Sequence, residues 1–170
     1  MDISKFKGLL GAGGARPNQF RVILTFPGFV TSVPDTEYSL LVTGAALPAS
    51  TVNPTIIQYR GREVKLAGER IFDPFTITVV NDTAMSLRRP FEEWMNGMND
   101  LEANTGILNP IDYQVDMSVE HLDRNDDPLM TYVLYNAFPI NMSEIGLQYG
   151  QNDVIEEFTV TFNYSHYLTA

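Results

Sequence analysis

From Glu157 to Ser165 the chain alternates without a break. Phe158, Val160, Phe162 and Tyr164 fall on one side of an extended backbone, and Glu157, Thr159, Thr161, Asn163 and Ser165 on the other. A slip of one residue would turn the whole apolar set to water, so the segment predicts a strand of fixed register with one face on a core. The same period recurs along the chain. Phe20, Val22, Leu24 and Phe26 alternate with Gln19, Arg21, Ile23 and Thr25, and Pro27-Gly28 ends the run. Tyr38, Leu40 and Val42 predict a second strand, and Phe75, Ile77 and Val79 a third. Ile111, Tyr113, Val115, Met117 and Val119 alternate with Asp112, Gln114, Asp116, Ser118 and Glu120. The turn sequence at 123–128 then reverses the chain into Leu129, Thr131, Val133, Tyr135 and Ala137, and Pro139 closes that strand. Residues 140–152 read as a loop or a short turn of helix.

Two segments break this pattern. Residues 48–70 read as a long hairpin or excursion around Gly61, with Ile56 and Tyr59 on one arm and Val64 and Leu66 on the other. Leu87, Phe91, Trp94, Met95 and Met98 recur at spacings of three and four, the signature of one amphipathic helix lying as a lid on a sheet. Asn81-Asp82-Thr83 supplies helix-capping chemistry before it, and Pro90 predicts a kink or a late start. Residues 99–110 read as a loop. Residues 1–17, with glycines at 8, 11, 13 and 14, read as a flexible N-terminal arm carrying small apolar anchors at Ile3, Phe6, Leu9 and Leu10. With no internal repeat and no linker, the expectation is one domain over 1–170. It is mainly β, an antiparallel sandwich or barrel with one flanking α-helix.

Charge is distributed unevenly. Residues 1–91 hold ten bases and seven acids, whereas residues 92–170 hold fourteen acids and the single base Arg124. Either the acids keep the surface soluble, or the subunit is electrically polar and stacks head to tail on copies of itself. The bases concentrate at Arg60, Arg62, Lys65 and Arg70, interrupted by Glu63 and Glu69, a pattern that suits an acidic protein neighbour better than nucleic acid, with a merely solvated hairpin as the further alternative. A net charge of -10 gives no bulk attraction for phosphates.

The residues offer little to catalysis. The chain has no cysteine, which excludes disulfides and thiol chemistry. His121 and His166 lack partners at zinc-ligand spacing, and neither HExxH nor GxSxG occurs. The GAGGA stretch at 11–15 follows no strand and lacks a phosphate-loop lysine. Asp123, Asn125 and Asp127 copy the start of a calcium loop, but Pro128 stands where glycine is required and Leu134 where glutamate is. No cofactor or metal is expected. The N-terminus shows no signal-peptide run and no segment reaches the length of a membrane helix, so a soluble protein without membrane insertion is expected.

Taken in order, Ala15-Arg16-Pro17-Asn18-Gln19-Phe20, Ala46-Leu47-Pro48-Ala49, Gly61-Arg62 and Ala67-Gly68-Glu69-Arg70-Ile71-Phe72-Asp73 resemble the tail tube proteins of contractile-tailed bacteriophages. So do the passage from Phe75 to Asp82, Phe91 and Trp94 downstream, and the ending from Phe138-Pro139 through Gln148 to Phe158-Thr159-Val160-Thr161. The family is similar to the ring-forming tube protein of type VI secretion. The resemblance implies a structural protein and not an enzyme. Six-membered rings would stack into a hollow tube inside a contractile sheath, with baseplate and tail terminator proteins as further partners. DNA would pass through without specific binding. Assembly in the host cytoplasm and residence in the virion tail follow. The alternative is an effector-carrying tube subunit of a type VI-like contractile injection or secretion system, and a monomeric binding module with a ligand inside its barrel is a third reading. On the tube reading, Arg60, Arg62, Lys65 and Arg70 are expected to meet acids of the next ring, and the arm to join that contact. Some of Asp112, Asp116, Glu120 and Glu157 are expected to face the lumen.

Overall fold

The computed structural model describes residues 2–11, 13–34 and 38–170, so Ala12 of the glycine-rich stretch lies outside them. Nine strands carry the architecture: β1 (Phe20–Ile23), β2 (Val42–Ala45), β3 (Ser50–Tyr59), β4 (Arg62–Phe72), β5 (Phe75–Val80), β6 (Val115–Leu122), β7 (Pro128–Met142), β8 (Glu157–Asn163) and β9 (His166–Thr169). Seven form one antiparallel sheet in the order β1-β6-β7-β8-β5-β2, with β9 also paired to β7. β7 is the spine. Its first half pairs with β6 on one side and β9 on the other, and its second half pairs with β8. The strands of the expected mainly-β fold are therefore present.

The sheet curls around a single core. Val22 of β1, Met117 and Val119 of β6, Leu134 of β7, Phe158, Val160 and Phe162 of β8, and Ile77 and Val79 of β5 all bury into it. The curl brings the edge strands β1 and β2 into contact, yet they do not hydrogen-bond, so the barrel is left open. The interior is filled. Helix α2 (Arg88–Met98) lays Phe91 and Trp94 against Phe162 at ring-centroid distances of 5.8 and 6.2 Å, and Trp94 Nε1 donates to the carbonyl of Tyr113 at 2.8 Å. Side chains occupy the place where a barrel-borne ligand would sit, which removes the binding-module reading.

Several local expectations change, among them the end of the strand at Pro139, which β7 runs through to Met142. Tyr38, Leu40 and Val42 do not form one strand: Tyr38–Leu41 is a 3-10 turn and only Val42 begins β2. The Tyr38 hydroxyl donates to the Leu24 carbonyl at 3.2 Å and its ring meets Phe26 edge-on, which holds the turn, while Leu40 stays exposed. Of the two outcomes Pro90 predicted, the helix shows the late start: it begins at Arg88, which seats Pro90 in the first turn, where a missing N–H costs nothing. Asp82 caps no helix. Its carboxylate accepts the Ser86 N–H at 2.7 Å and hydroxyl at 2.6 Å, and that hydroxyl leads the lowering of the Asp82 pKa. Ile111, Asp112 and Tyr113 are not strand residues either. They lie in the one-turn helix α3 (Pro110–Tyr113), opened by Pro110 and capped by Asn109. The arm carries a short helix, α1 (Ile3–Leu9), whose N-terminus Asp2 caps through the Ser4 and Lys5 N–H groups.

Candidate functional site

The expected hairpin forms as a separate two-stranded ribbon of β3 and β4, outside the main sheet. β3 and β4 prolong β2 and β5, so the ribbon grows out of one end of the sheet. Arg60 and Gly61 make its turn with positive φ (48° and 79°), the conformation a two-residue hairpin turn demands. Every residue of β3 is exposed, and β4 is nearly so. The register sorts the side chains. Ile57, Tyr59, Val64, Leu66 and Arg62 share one face, and Ile56, Lys65, Glu63, Val52 and Arg70 the other. The four bases are thus divided: Arg62 on one face, Lys65 and Arg70 on the other, and Arg60 at the tip over the Tyr59 ring at 5.4 Å. A bulge opposite Asn53 kinks the ribbon, and a Cβ on Gly68 would sit 2.5 Å from the Asn53 carbonyl oxygen, so only glycine fits this bend.

A ribbon with both apolar faces in water is not stable on its own. Its root is pinned instead. Phe72 packs against Tyr167 of β9 and Tyr164, with centroids 5.5 and 6.0 Å away, and Tyr167 leans on Tyr132 of β7 at 5.8 Å. Burial pushes the Tyr164 hydroxyl pKa up, and this oxygen has no hydrogen-bond partner among the described residues.

The four candidate acids do not converge. Asp116 and Glu120 share the outer face of β6, where Asp116 accepts the N–H of Asn136 at 3.0 Å and Glu120 lies 3.5 Å from Arg21 of β1. Asp112 sits apart in α3. Glu157 opens β8, opposite Val80, at the far end of the spine from Glu120.

Sequence reasoning missed a clamp. Glu93 of α2 accepts four hydrogen bonds, from the N–H and hydroxyl of Thr31 (both 2.9 Å) and those of Ser32 (3.0 and 2.6 Å). The Ser32 hydroxyl first, then the Thr31 N–H, hold its carboxyl at about 2, well below the usual carboxylate range. The remaining candidate chemistry resolves into structure. His121 Nε2 lies 3.0 Å from the Arg16 carbonyl oxygen and ties the arm to β6, and His166 stacks on Tyr135 at 4.9 Å. Asp123 accepts the N–H groups of Asn125 and Asp127, which makes it a turn cap. Among the described residues no cluster of His, Asp or Glu is arranged to hold a metal ion, and no helix is long and apolar enough to cross a membrane.

The model of the phage tail tube protein family matches residues 15–170. This chain belongs to that family. A tail tube protein of Serratia phage KSP90 is 29% identical over 165 residues, spanning 95% of this chain and 93% of the relative. Tail tube protein gp19 of Enterobacteria phage T4 is 27% identical over 148 residues, spanning 86% of each. Among solved structures, a chain of the PVC sheath–tube complex, an extracellular contractile injection system in its extended state, superposes with a TM-score of 0.57 at 15% identity, over 96% of both chains. The fold is shared with that chain, and as a phage tail tube protein this chain is a structural component of the virion tail.

Proposed function

We propose that this tail tube protein forms six-membered rings that stack into a hollow conduit for the phage genome, with a contractile sheath outside and baseplate and terminator proteins at the two ends. The observation that carries this reading is the β3–β4 ribbon. It exposes Ile56, Ile57, Val64, Leu66 and Ile71 on a projection no domain of this size keeps in water without a partner. β9, paired only with β7, also offers a free strand edge, which a neighbouring subunit can extend.

In this arrangement Arg60, Arg62, Lys65 and Arg70 meet acids of the next ring, with the two ribbon faces touching two different neighbours. The arm joins that contact through Ile3, Phe6 and Leu9, which are exposed along α1. Of Asp112, Asp116, Glu120 and Glu157, the lumen-facing residue is Glu157. DNA passes without being held, because a chain of net charge -10 gives phosphates no counter-charge to bind. Negative-stain electron microscopy of the purified chain tests the reading. Rings or tubes of uniform width are expected, and a monomer that persists at high concentration and with tail baseplates added would refute it.

A further inference from the structure

We propose that the wall this tube turns to its lumen is the neutral threonine face of β5 and β8, and that the acidic face of β6 lies in a contact between subunits. The inference deepens the tube reading and rests on it. Helix α2 covers the inner face of β5 and β8, so their other face looks outward. The register aligns two Thr-x-Thr pairs there. Thr76 stands opposite Thr161, with hydroxyl oxygens 3.0 Å apart, and Thr78 stands opposite Thr159. Asn141 of β7, opposite Thr161, and Asn163 widen the patch, and Gly44 of β2 opposite Thr78 keeps it flat. Within β5 and β8 the only charged side chain is Glu157, at the end of the face.

In a homo-oligomer, subunit contacts cover exposed apolar surface, and the wall left in water is the one without it. Nearly every other outer surface carries large exposed apolar groups: the ribbon on both faces, α1, Leu101, Leu108 and Ile111 before β6, and Leu147, Tyr149, Val154 and Ile155 before β8. The β6 face is flanked by exposed Ile23 of β1 and Leu168 of β9, and its Glu120 is already paired with Arg21. On the outer face of β5 and β8 themselves no large exposed apolar group occurs, and Ile140, at the bulge of β7 beside Asn141, is the exposed apolar neighbour at the rim of the patch. Paired hydroxyls hold a layer of water and carry no charge. A duplex sliding along them finds no cation to bind its phosphates and no row of carboxylates to repel it.

The chain has no cysteine, so one introduced thiol reports its own surroundings. Thr76→Cys and, as a second position, Thr159→Cys are assembled into tubes and treated with a small maleimide or with a polyethylene-glycol maleimide too wide for the bore. Ser118→Cys on β6 serves as the contrast. In the unassembled subunit both reagents should label Thr76→Cys. In tubes the small reagent should label the threonine-face variants and the wide one should not, while Ser118→Cys should be protected from both. Labelling of the threonine variants by the wide reagent would place that face outside, and protection from both reagents would place it between subunits; either result overturns the assignment while the tube reading stands. Failure of the unsubstituted chain to form tubes would overturn the tube reading, and this wall with it.

Discussion

The Phe72 ring meets the Tyr167 ring edge-on, with centroids 5.5 Å apart and planes at 75°. That contact joins the last residue of the ribbon to the C-terminal strand, and Ser50, paired with Phe72 across the ribbon, lies 3.4 Å from the Tyr167 hydroxyl. The ribbon's direction is therefore set from the C-terminus. Tyr167→Ala should remove both the Phe72 and Tyr132 contacts, each aromatic pair being worth about 1 kcal/mol beyond its area. The expected outcome is a modest fall in Tm, faster proteolytic nicking within 50–72, and slower tube assembly. Tyr167→Phe should behave nearly as the parent, since the rings remain.

Gly97 lies in the last turn of α2, where a glycine ordinarily weakens a helix. Here it admits Phe29, because a Cβ at this position would sit 2.3 Å from Phe29 Cε2. Gly97→Ala gains about 1 kcal/mol of helix propensity but forces the Phe29 ring off the helix, an overpacking cost of about 1–3 kcal/mol. Net destabilisation is expected, read as a lower midpoint in urea with an unchanged slope. A midpoint that rises would show that Phe29 yields freely.

Glu93 clamps the 31–32 segment to α2, and its folded-state pKa lies below its unfolded one. A depressed carboxylate stabilises the fold above its unfolded pKa and loses that contribution as pH falls through the folded value. The stabilising effect should therefore be complete near pH 7 and fade between about pH 4.5 and pH 2. Glu93→Gln should cost about 1 kcal/mol at neutral pH, a value reduced for the solvent around the group. The gap in Tm between parent and variant should close as the pH approaches 2, measured by circular dichroism.

Legibility followed burial. Where alternation recorded a half-buried face, as in Phe158 to Tyr164 or Phe75 to Val79, strand and register followed directly from the residues. Tyr38, Leu40 and Val42 alternated for another reason, because a hydroxyl bond to Leu24 and an edge-on ring fix a turn there. Ile111 and Tyr113 continued the period of β6, but Pro110 and Asn109 favour a helical turn, and local capping chemistry outweighed pattern. The ribbon bases read as one patch along the sequence, and the period of two split them between faces. The acids of β6 and β8 likewise looked equivalent in sequence. Only non-local pairing, β6 along the first half of β7 and β8 along the second, sets them apart, and no local signal reports it. The two Thr-x-Thr pairs were visible from the start, but their alignment required the register of β5 against β8.

The ribbon offers the sharpest test of ring stacking. Reversing Arg60, Arg62 and Lys65 to glutamate changes charge at the tip and on both faces while leaving Ile57, Val64 and Leu66 in place. All three bases are exposed, so the isolated subunit should keep its Tm to within a degree or two, as surface substitutions do. Association is another matter, because the proposed stacking brings these groups against opposite charge on the next ring. Assembly of the parent should slow as salt rises, since screening at about 0.15 M already shortens electrostatic reach to roughly 8 Å. The reversed variant should assemble poorly at low salt and recover partly as salt is added, the opposite dependence. Light scattering across a salt series reads both directions. Equal polymerisation of parent and variant, with the same salt response, would show that the bases are only solvated and that the ribbon docks through its apolar faces alone.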